Sequence, residues 1–321
     1  VPARPGITLD EALSEEPDLS KLYESDQEAR QILDASRQIE GLVRQPGTHA
    51  AGVIIADKAI TEYCPLYKNG DDISTQYSMK FVEGIGLPKM DFLGLTNLTI
   101  LDRALKLIQE TRAETLTLPA IPLDDVETFK LLSSAETSGV FQLESSGMKD
   151  ALLNMKPNRL EDIIALVALY RPGPMNNIPI YNDCKHGKKE PDYLHPKLEE
   201  ILKPTYGVII YQEQVMQIAQ VLSGFSASEA DILRRAMGKK KRVELEKQKE
   251  RFVNGAVRNG IAKDTAIFIF KKIEPFAEYG FNKSHAAAYA MIAYQTAYLK
   301  TYYPNEFIAA LMSNELSNTD K

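Results

Sequence analysis

Leu-Pro-Lys-Met-Asp-Phe-Leu-Gly-Leu, residues 87–95, is the most informative part of the sequence, because strand-like segments precede it and helix-like segments follow it. It also places one acid, Asp91, among apolar residues. A charged carboxylate is costly to bury unless a metal or another cation compensates it. Lys89, two residues earlier, would lie on the same face of a strand as Asp91. Two interpretations of Asp91 follow: a metal ligand, or an edge-strand acid that reaches solvent.

The segments upstream of this stretch have the composition of short strands preceded by helices. Residues 51–56 (AGVIIA) are apolar and β-branched, and residues 74–79 (STQYSM) alternate and contain Thr and Tyr. Residues 69–72 (NGDD) are a turn signal between two strands, and residues 87–92 are a further candidate strand. Residues 1–45, with ten acids and five bases, have a helical, acidic pattern.

Downstream of Gly94 the apolar period becomes that of helices and stays so to the end. Apolar residues first recur every three or four positions at Leu98, Leu101, Leu105 and Ile108. Ser226-Ala-Ser-Glu229 is a capping box, and Ser284 is the predicted N-cap of a long helix that Pro304 ends. The sequence therefore predicts an α+β protein, with a small sheet followed by a large helical part.

Composition narrows the class of protein. The 321 residues are 44% hydrophobic and carry a net charge of −6. Two distant cysteines, Cys64 and Cys184, argue against a disulfide framework or a zinc site and fit a reducing cytosol. No apolar run approaches a membrane span, so we expect no membrane partner. Because the chain opens on Val1 rather than Met, we expect it to be part of a longer protein.

Cations cluster despite the acidic total. Residues 234–242 (RRAMGKKKR) hold six bases and no acid. A phosphate responds to the local potential within roughly 10 Å, so this run is a candidate phosphate site. The alternative is a helix C-terminus whose cations complement the macrodipole. Arg171, in the rigid turn Arg171-Pro-Gly-Pro174, is either a phosphate contact or a surface residue at a helix stop. Lys283 lies in a donor-rich helix start, residues 281–285, which is a candidate anion site.

The sequence does not place a second acid beside Asp91 at the spacing that a strand-borne metal site would use. Metal-dependent phosphoryl transfer usually requires at least two carboxylates. The sequence contains no Asp-x-Asp, the strand spacing that aims two carboxylates at one ion. His49, which precedes the first apolar strand, is interpreted as structural.

Seven segments closely resemble the C family of bacterial replicative DNA polymerases, the DNA polymerase III alpha subunits. In chain order they are residues 47–55 (GTHAAGVII), 89–95 (KMDFLGL), 139–145 (GVFQLES), 165–174 (ALVALYRPGP), 204–216 (PTYGVIIYQEQVM), 234–241 (RRAMGKKK) and 279–285 (YGFNKSH). The resemblance covers essentially the whole chain, and motifs of this length are specific when they occur together.

The resemblance implies three parts. Residues 1–44 would be the end of the thumb, residues 45–95 the C-terminal part of a palm with a polymerase-beta-like nucleotidyltransferase fold, and residues 96–321 the helical fingers. Asp91 would be a catalytic, metal-binding acid of the palm. The residues expected to bind the nucleotide are Lys89 in the palm and Arg171, Arg234, Arg235, Lys239 and Lys283 in the fingers.

The resemblance also implies the chemistry. Two Mg²⁺ ions would assist transfer of a nucleotide from a dNTP to the 3′-hydroxyl of primer–template DNA in the bacterial cytoplasm, at the nucleoid. Sliding clamp, proofreading exonuclease subunit and clamp loader would bind largely outside this chain. Since the family's Asp-x-Asp strand is missing, we expect the chain alone to be inactive. Three alternatives stay open: a non-catalytic nucleotide- or nucleic-acid-binding module, another metal-dependent nucleotidyltransferase, and a replisome interaction segment.

Overall fold

The computed structural model describes residues 7–43, 46–49, 51–238 and 242–314. The chain divides into two compact units, Val1–Gly94 and Leu95–Lys321. The first unit contains short helices and strands, in the order α1 (Leu9–Glu15), α2 (Pro17–Ser25), α3 (Gln27–Ile39), β1 (Gly52–Ile54), β2 (Leu66–Asn69), β3 (Asp72–Thr75), α4 (Met79–Gly84) and β4 (Lys89–Asp91).

The strands of the first unit form two antiparallel pairs among the described residues. β1 pairs with β4, and this register places Gly52 opposite Asp91. β2 and β3 form a hairpin across the predicted turn, where Gly70 has a φ of +61°. The strand predicted at residues 74–79 is wrong in position. β3 begins at Asp72, directly after the hairpin turn, and ends at Thr75. Ser78 is then the N-cap residue of α4.

The second unit is helical, as the pattern after Gly94 predicts. Its helices are α5 (Thr96–Arg112), α6 (Val126–Ser133), α7 (Ser146–Met155), α8 (Leu160–Leu169), α9 (Ile178–Lys185), α10 (Glu199–Leu202), α11 (Gln212–Ser223), α12 (Ala227–Gly238), α13 (Arg242–Arg258), α14 (Lys263–Tyr279), α15 (Lys283–Tyr302) and α16 (Pro304–Asn314). The architecture is thus mostly helical with small antiparallel sheets, an α+β protein. No helix in the described part of the chain is long and apolar enough to cross a membrane.

Local capping signals mark two helix starts of the second unit, those of α12 and α15. The Ser226–Glu229 capping box is present, with both reciprocal hydrogen bonds formed. The predicted cap of α15 is wrong, because Asn282 rather than Ser284 accepts the His285 N–H at 2.8 Å. An Asn side chain at this position reaches the free N–H groups of the first turn, so the helix begins earlier than predicted.

The helical unit has several apolar clusters, which fix the helices that carry the candidate site. α15 packs against α8 and α6, and α16 packs against α5. On α5 the buried face is Ile100, Leu101, Ala104 and Ile108, whereas Leu98 is 49% exposed. The buried face of α5 is therefore rotated, at its start, from the face that the apolar pattern predicts. The small Ala104 lies on the buried face, where α5 packs against α16.

Two ion pairs tie distant parts of this unit together. Asp162, which is fully buried, accepts hydrogen bonds from Lys185 at 2.8 Å and from the Tyr181 hydroxyl at 2.9 Å. Glu306 of α16 forms a bidentate pair with Arg112 of α5, at 2.8 and 3.0 Å. A buried carboxylate without a partner would be costly, so both acids depend on these cations.

Candidate functional site

The pair of Lys89 and Asp91 is the centre of the candidate site in the first unit. Both belong to β4, and the ammonium nitrogen of Lys89 lies 2.6 Å from Asp91 Oδ1. Hydrogen bonding to Lys89 is the main cause that holds the pKa of Asp91 below its usual value. The Lys89 side chain is 13% exposed and that of Asp91 44%. Asp91 is therefore an ionised acid that solvent reaches, and its apolar neighbours do not bury it.

Two further residues of this site were not predicted from the sequence. His49 Nδ1 lies 3.9 Å from Asp91 Oδ1 and accepts the Ala51 N–H at 3.2 Å. Gly52 leaves the space that the pair occupies, because a Cβ at this position would lie 2.5 Å from Lys89 Cε and 3.3 Å from Asp91 Oδ1. A glycine inside a strand is a sequence signal for such a close approach.

A cavity adjoins the Lys89 side chain. Its volume is about 560 Å³, within the range that holds small-molecule ligands. His49, Gly52 and Lys89 line it together with residues of the β2–β3 hairpin. Lys89 of the pair is thus one of the residues around an open space within the first unit.

The fit of these residues to Mg²⁺ is partial. Mg²⁺ prefers oxygen ligands, and Asp91 can supply one carboxylate. Across residues 7–43, 46–49, 51–238 and 242–314, no three His, Cys, Asp or Glu side chains gather in a way that could hold a metal ion. Asp91 therefore fits one ligand position of such an ion.

The second unit presents Arg234 and Arg235 near the end of α12. Asp231, one turn earlier, holds both: its Oδ1 accepts from Arg234 Nε and Nη2 at 2.9 and 2.7 Å, and its Oδ2 accepts from Arg235 Nε at 2.7 Å. Hydrogen bonds from Arg234 and then Arg235 lower the pKa of Asp231. Sequence reasoning missed Asp231, although its spacing of three and four residues from the arginines is the signal for a helix ion pair.

Arg234 also contacts the start of α11. Its Nη1 donates to Gln212 Oε1 at 3.4 Å. The Gln212 N–H in turn donates to the Phe281 carbonyl at 3.0 Å, and Phe281 and Tyr211 form a parallel bridge. We call residues 211–213 and 281–283 the bridge segment. Arg234 is thus linked to the residues that precede α15.

Lys283 belongs to this bridge segment, and Arg171 contacts it. The Lys283 ammonium is 5.6 Å from the centre of the Tyr211 ring, and the Arg171 guanidinium is 4.4 Å from that of Phe281. Burial lowers the pKa of Arg171, which nevertheless stays a cation at neutral pH. The structure therefore brings Arg171, Arg234 and Lys283 to one segment. Lys239 lies outside the described residues.

The predicted anion site at the start of α15 already has an anion. The Glu213 carboxylate accepts the Lys283 N–H at 3.0 and 3.1 Å and the Asn282 side-chain amide at 3.0 Å. An external phosphate would have to displace Glu213 from these donors. The side chain of Lys283, rather than the helix N-terminus, is therefore the group available to a ligand.

Two protein families match the chain, one within each of its two compact units. The family described as "Bacterial DNA polymerase III alpha NTPase domain" matches residues 1–94, and the family "Bacterial DNA polymerase III alpha subunit finger domain" matches residues 97–260. The chain is 54% identical over 322 residues to the DNA polymerase III subunit alpha of Caulobacter vibrioides (strain NA1000 / CB15N), with all of the chain and 28% of the relative covered.

Other relatives with the same name give similar values. The protein of Escherichia coli (strain K12) is 50% identical over 334 residues, and that of Halalkalibacterium halodurans is 51% identical over 322 residues. In both, all of this chain and 29% of the relative are covered, so the chain spans less than a third of the length of these relatives. On these matches, the chain belongs to the bacterial DNA polymerase III alpha subunit family.

Proposed function

We propose that this chain is part of a DNA-directed DNA polymerase that transfers a nucleotide from a dNTP to a primer 3′-hydroxyl during chromosomal replication. The observation that carries the proposal is the Lys89–Asp91 pair, in which an ionised carboxylate open to solvent lies 2.6 Å from the ammonium group of Lys89, a residue that lines a cavity. Family membership supplies the reaction class, since the named relatives are DNA polymerase III alpha subunits.

Each residue of the candidate site has a proposed role. Asp91 provides one carboxylate ligand, and Lys89 contacts a phosphate of the incoming dNTP from the adjoining cavity. Bound Mg²⁺, two ions in the complete site, supplies charge neutralisation at the transferring phosphate. The nucleotide-binding cations of the second unit are Arg171, Arg234, Arg235, Lys239 and Lys283.

Arg234 and Arg235 suit a triphosphate because a guanidinium offers paired N–H donors to phosphate oxygens. The charge that develops on the leaving pyrophosphate is stabilised best by donors that are already oriented. Lys283 adds a point charge beside the Tyr211 ring, and Arg171 adds a second guanidinium on the Phe281 side of the bridge segment. Template bases select the nucleotide by pairing. These residues therefore need only contact the triphosphate, which is the same in every dNTP.

We further propose the three-part organisation in which residues 1–44 end the thumb, residues 45–95 complete a nucleotidyltransferase-like palm, and residues 96–321 form the fingers. Primer–template DNA and dNTP are the proposed ligands of the parent protein in the bacterial cytoplasm, associated with the nucleoid. The sliding clamp, the exonuclease subunit and the clamp loader would bind mainly to regions outside this chain.

The isolated chain is proposed to lack polymerase activity, because Asp91 alone is too few carboxylates for the two ions. A specific observation also favours a second candidate, a nucleotide-binding module without catalysis: cations gather on the bridge segment, whereas the described residues hold no metal cluster. Titration of the isolated chain with a fluorescent dNTP distinguishes this module from a pure interaction segment, which would not bind the triphosphate.

Template-directed primer extension by the intact parent tests the proposal with Asp91→Asn. We expect incorporation to fall by about 10³-fold, equivalent to about 4 kcal/mol in the barrier, while DNA binding measured by fluorescence anisotropy persists. Asp71→Asn, the same change in an exposed hairpin turn of the same unit, is the matched control and should extend normally. Near-normal extension by Asp91→Asn would make Asp91 a structural acid and remove this strand from the active site.

A further inference from the structure

We propose that Asp231 is a positioning residue, which orients Arg234 and Arg235 so that both guanidinium groups meet one triphosphate. This inference rests on the proposed function, and it concerns an acid that neither the sequence pattern nor the phosphate chemistry requires. By charge alone, an acid beside two phosphate-binding cations would weaken their attraction for phosphate. Its geometry explains why it is there.

The two oxygens of Asp231 are divided between the two arginines. Oδ1 accepts hydrogen bonds from Nε and Nη2 of Arg234. Oδ2 accepts one from Nε of Arg235 at 2.7 Å and also contacts Nη2 of Arg235. A guanidinium has five N–H donors, and a carboxylate on the Nε–Nη2 edge leaves donors on the other edge. Both arginines can therefore donate to a phosphate without releasing Asp231, and on Arg234 that phosphate would share Nη1 with Gln212 Oε1.

Without this carboxylate the two side chains would diverge. Consecutive residues on an α-helix point about 100° apart, so Arg234 and Arg235 leave α12 in different directions. Asp231 lies three residues before one and four before the other, the two spacings that share a helix face. It therefore draws both guanidinium groups to one side. Gln212, 3.4 Å from Arg234 Nη1, fixes that group from the start of α11.

Orientation and charge make opposite predictions for the loss of Asp231. The two arginines and the acid together carry one net positive charge, and neutralising the acid would raise this to two. If only charge mattered, the triphosphate would bind more tightly. If orientation matters, binding weakens, because two flexible side chains must be ordered when the nucleotide arrives. The sign of the change therefore decides between them.

The experiment uses the intact alpha subunit with primer–template DNA, and measures KM for dNTP and kcat separately. For Asp231→Asn we expect KM to rise about tenfold with kcat within about twofold, because an amide keeps one acceptor oxygen and loses the charge that holds both arginines. Asp231→Glu should bring KM back to within about threefold of wild type, since Glu reaches the same two partners. A partly unfolded variant would lower the apparent kcat and leave KM unchanged.

Two comparisons complete the design. Asp102→Asn removes a more exposed helix ion pair, with Lys106 at 2.7 Å on α5, and should leave KM unchanged. In an Arg234→Ala/Arg235→Ala background, adding Asp231→Asn should cause no further rise in KM, because Asp231 acts only through these arginines.

The outcomes separate the inference from the function on which it rests. An unchanged or lowered KM in Asp231→Asn, with a raised KM in the double arginine variant, would overturn the positioning role alone. An unchanged KM in the double arginine variant would overturn the assignment of these arginines to the nucleotide, and the role of Asp231 with it.

Discussion

Replacing Gly52 with Ala is expected to separate catalysis from stability in the parent polymerase. The added Cβ would lie 2.5 Å from Lys89 Cε, whereas carbon atoms in contact are about 3.5–4.0 Å apart. The end of the Lys89 side chain must therefore retreat by about 1 Å. This movement is expected to lengthen the 2.6 Å contact with Asp91 and to shift the ammonium group.

The expected loss of activity follows from this displacement. A misplacement of about 1 Å at a reacting centre can cost about 100-fold in rate, so we expect primer extension to fall by roughly 10- to 100-fold. Stability should change little, since Gly is less favourable than Ala inside a strand by roughly 0.5–1 kcal/mol and Lys89 is flexible near its end. The Tm should therefore stay the same or rise slightly.

Primer extension and thermal unfolding of the same preparations form the assay. Gly84→Ala is the matched control, because a Cβ at that position meets nothing within 4 Å, and both activity and Tm should stay close to wild type. Full activity in Gly52→Ala would refute the reasoning that the Lys89 position matters. A large fall in Tm would refute the other half, because it would mean that the backbone rather than Lys89 absorbs the clash.

Three further predictions concern the helical unit. Asp162→Asn leaves Lys185 buried beside a neutral amide, so the free energy of unfolding in urea should fall by about 3–5 kcal/mol; a loss below about 1 kcal/mol would contradict the buried pair. Hydrogen bonding to Arg112 lowers the pKa of Glu306 from 4.5 to about 2, so its stabilisation is present above pH 4.5 and is lost as pH falls towards 2. Acid titration of wild type and Glu306→Gln should show this loss in wild type only; parallel curves would exclude it. Glu213→Gln weakens the cap of α15, so amide hydrogen exchange near Lys283 should accelerate, and unchanged exchange would show that Asn282 suffices.

Local sequence signals predicted much of the fold, because they act over a few residues. The Ser226–Glu229 capping box and the turn before β3 both depend on neighbours in the chain, and both are present. The errors arose where distant contacts decide. The buried stripe of α5 is rotated because α16 packs against it, and no local pattern gives the identity of that partner.

The candidate site was predictable only in part for the same reason. A spacing of two residues on a strand placed Lys89 beside Asp91, and the structure has them in contact. The approach of His49 depends instead on the pairing of β1 with β4, which brings residues 52 and 91 opposite each other. Gathering Arg171 and Arg234 on the bridge segment requires contacts between residues far apart in sequence. The roles of these residues in nucleotide binding remain predictions.

α15 connects the bridge segment to the start of α6. Its 20 residues span about 30 Å. At its first residue, Glu213 accepts the Lys283 N–H, and at its last the Tyr302 hydroxyl donates to Asp125 at 2.7 Å. A tilt of about 5° at the bridge segment would move the far end by about 2.6 Å, enough to break a hydrogen bond of that length. A movement of Glu213 that tilted α15 would therefore disturb the hydrogen bond of Tyr302 to Asp125, the N-cap residue of α6.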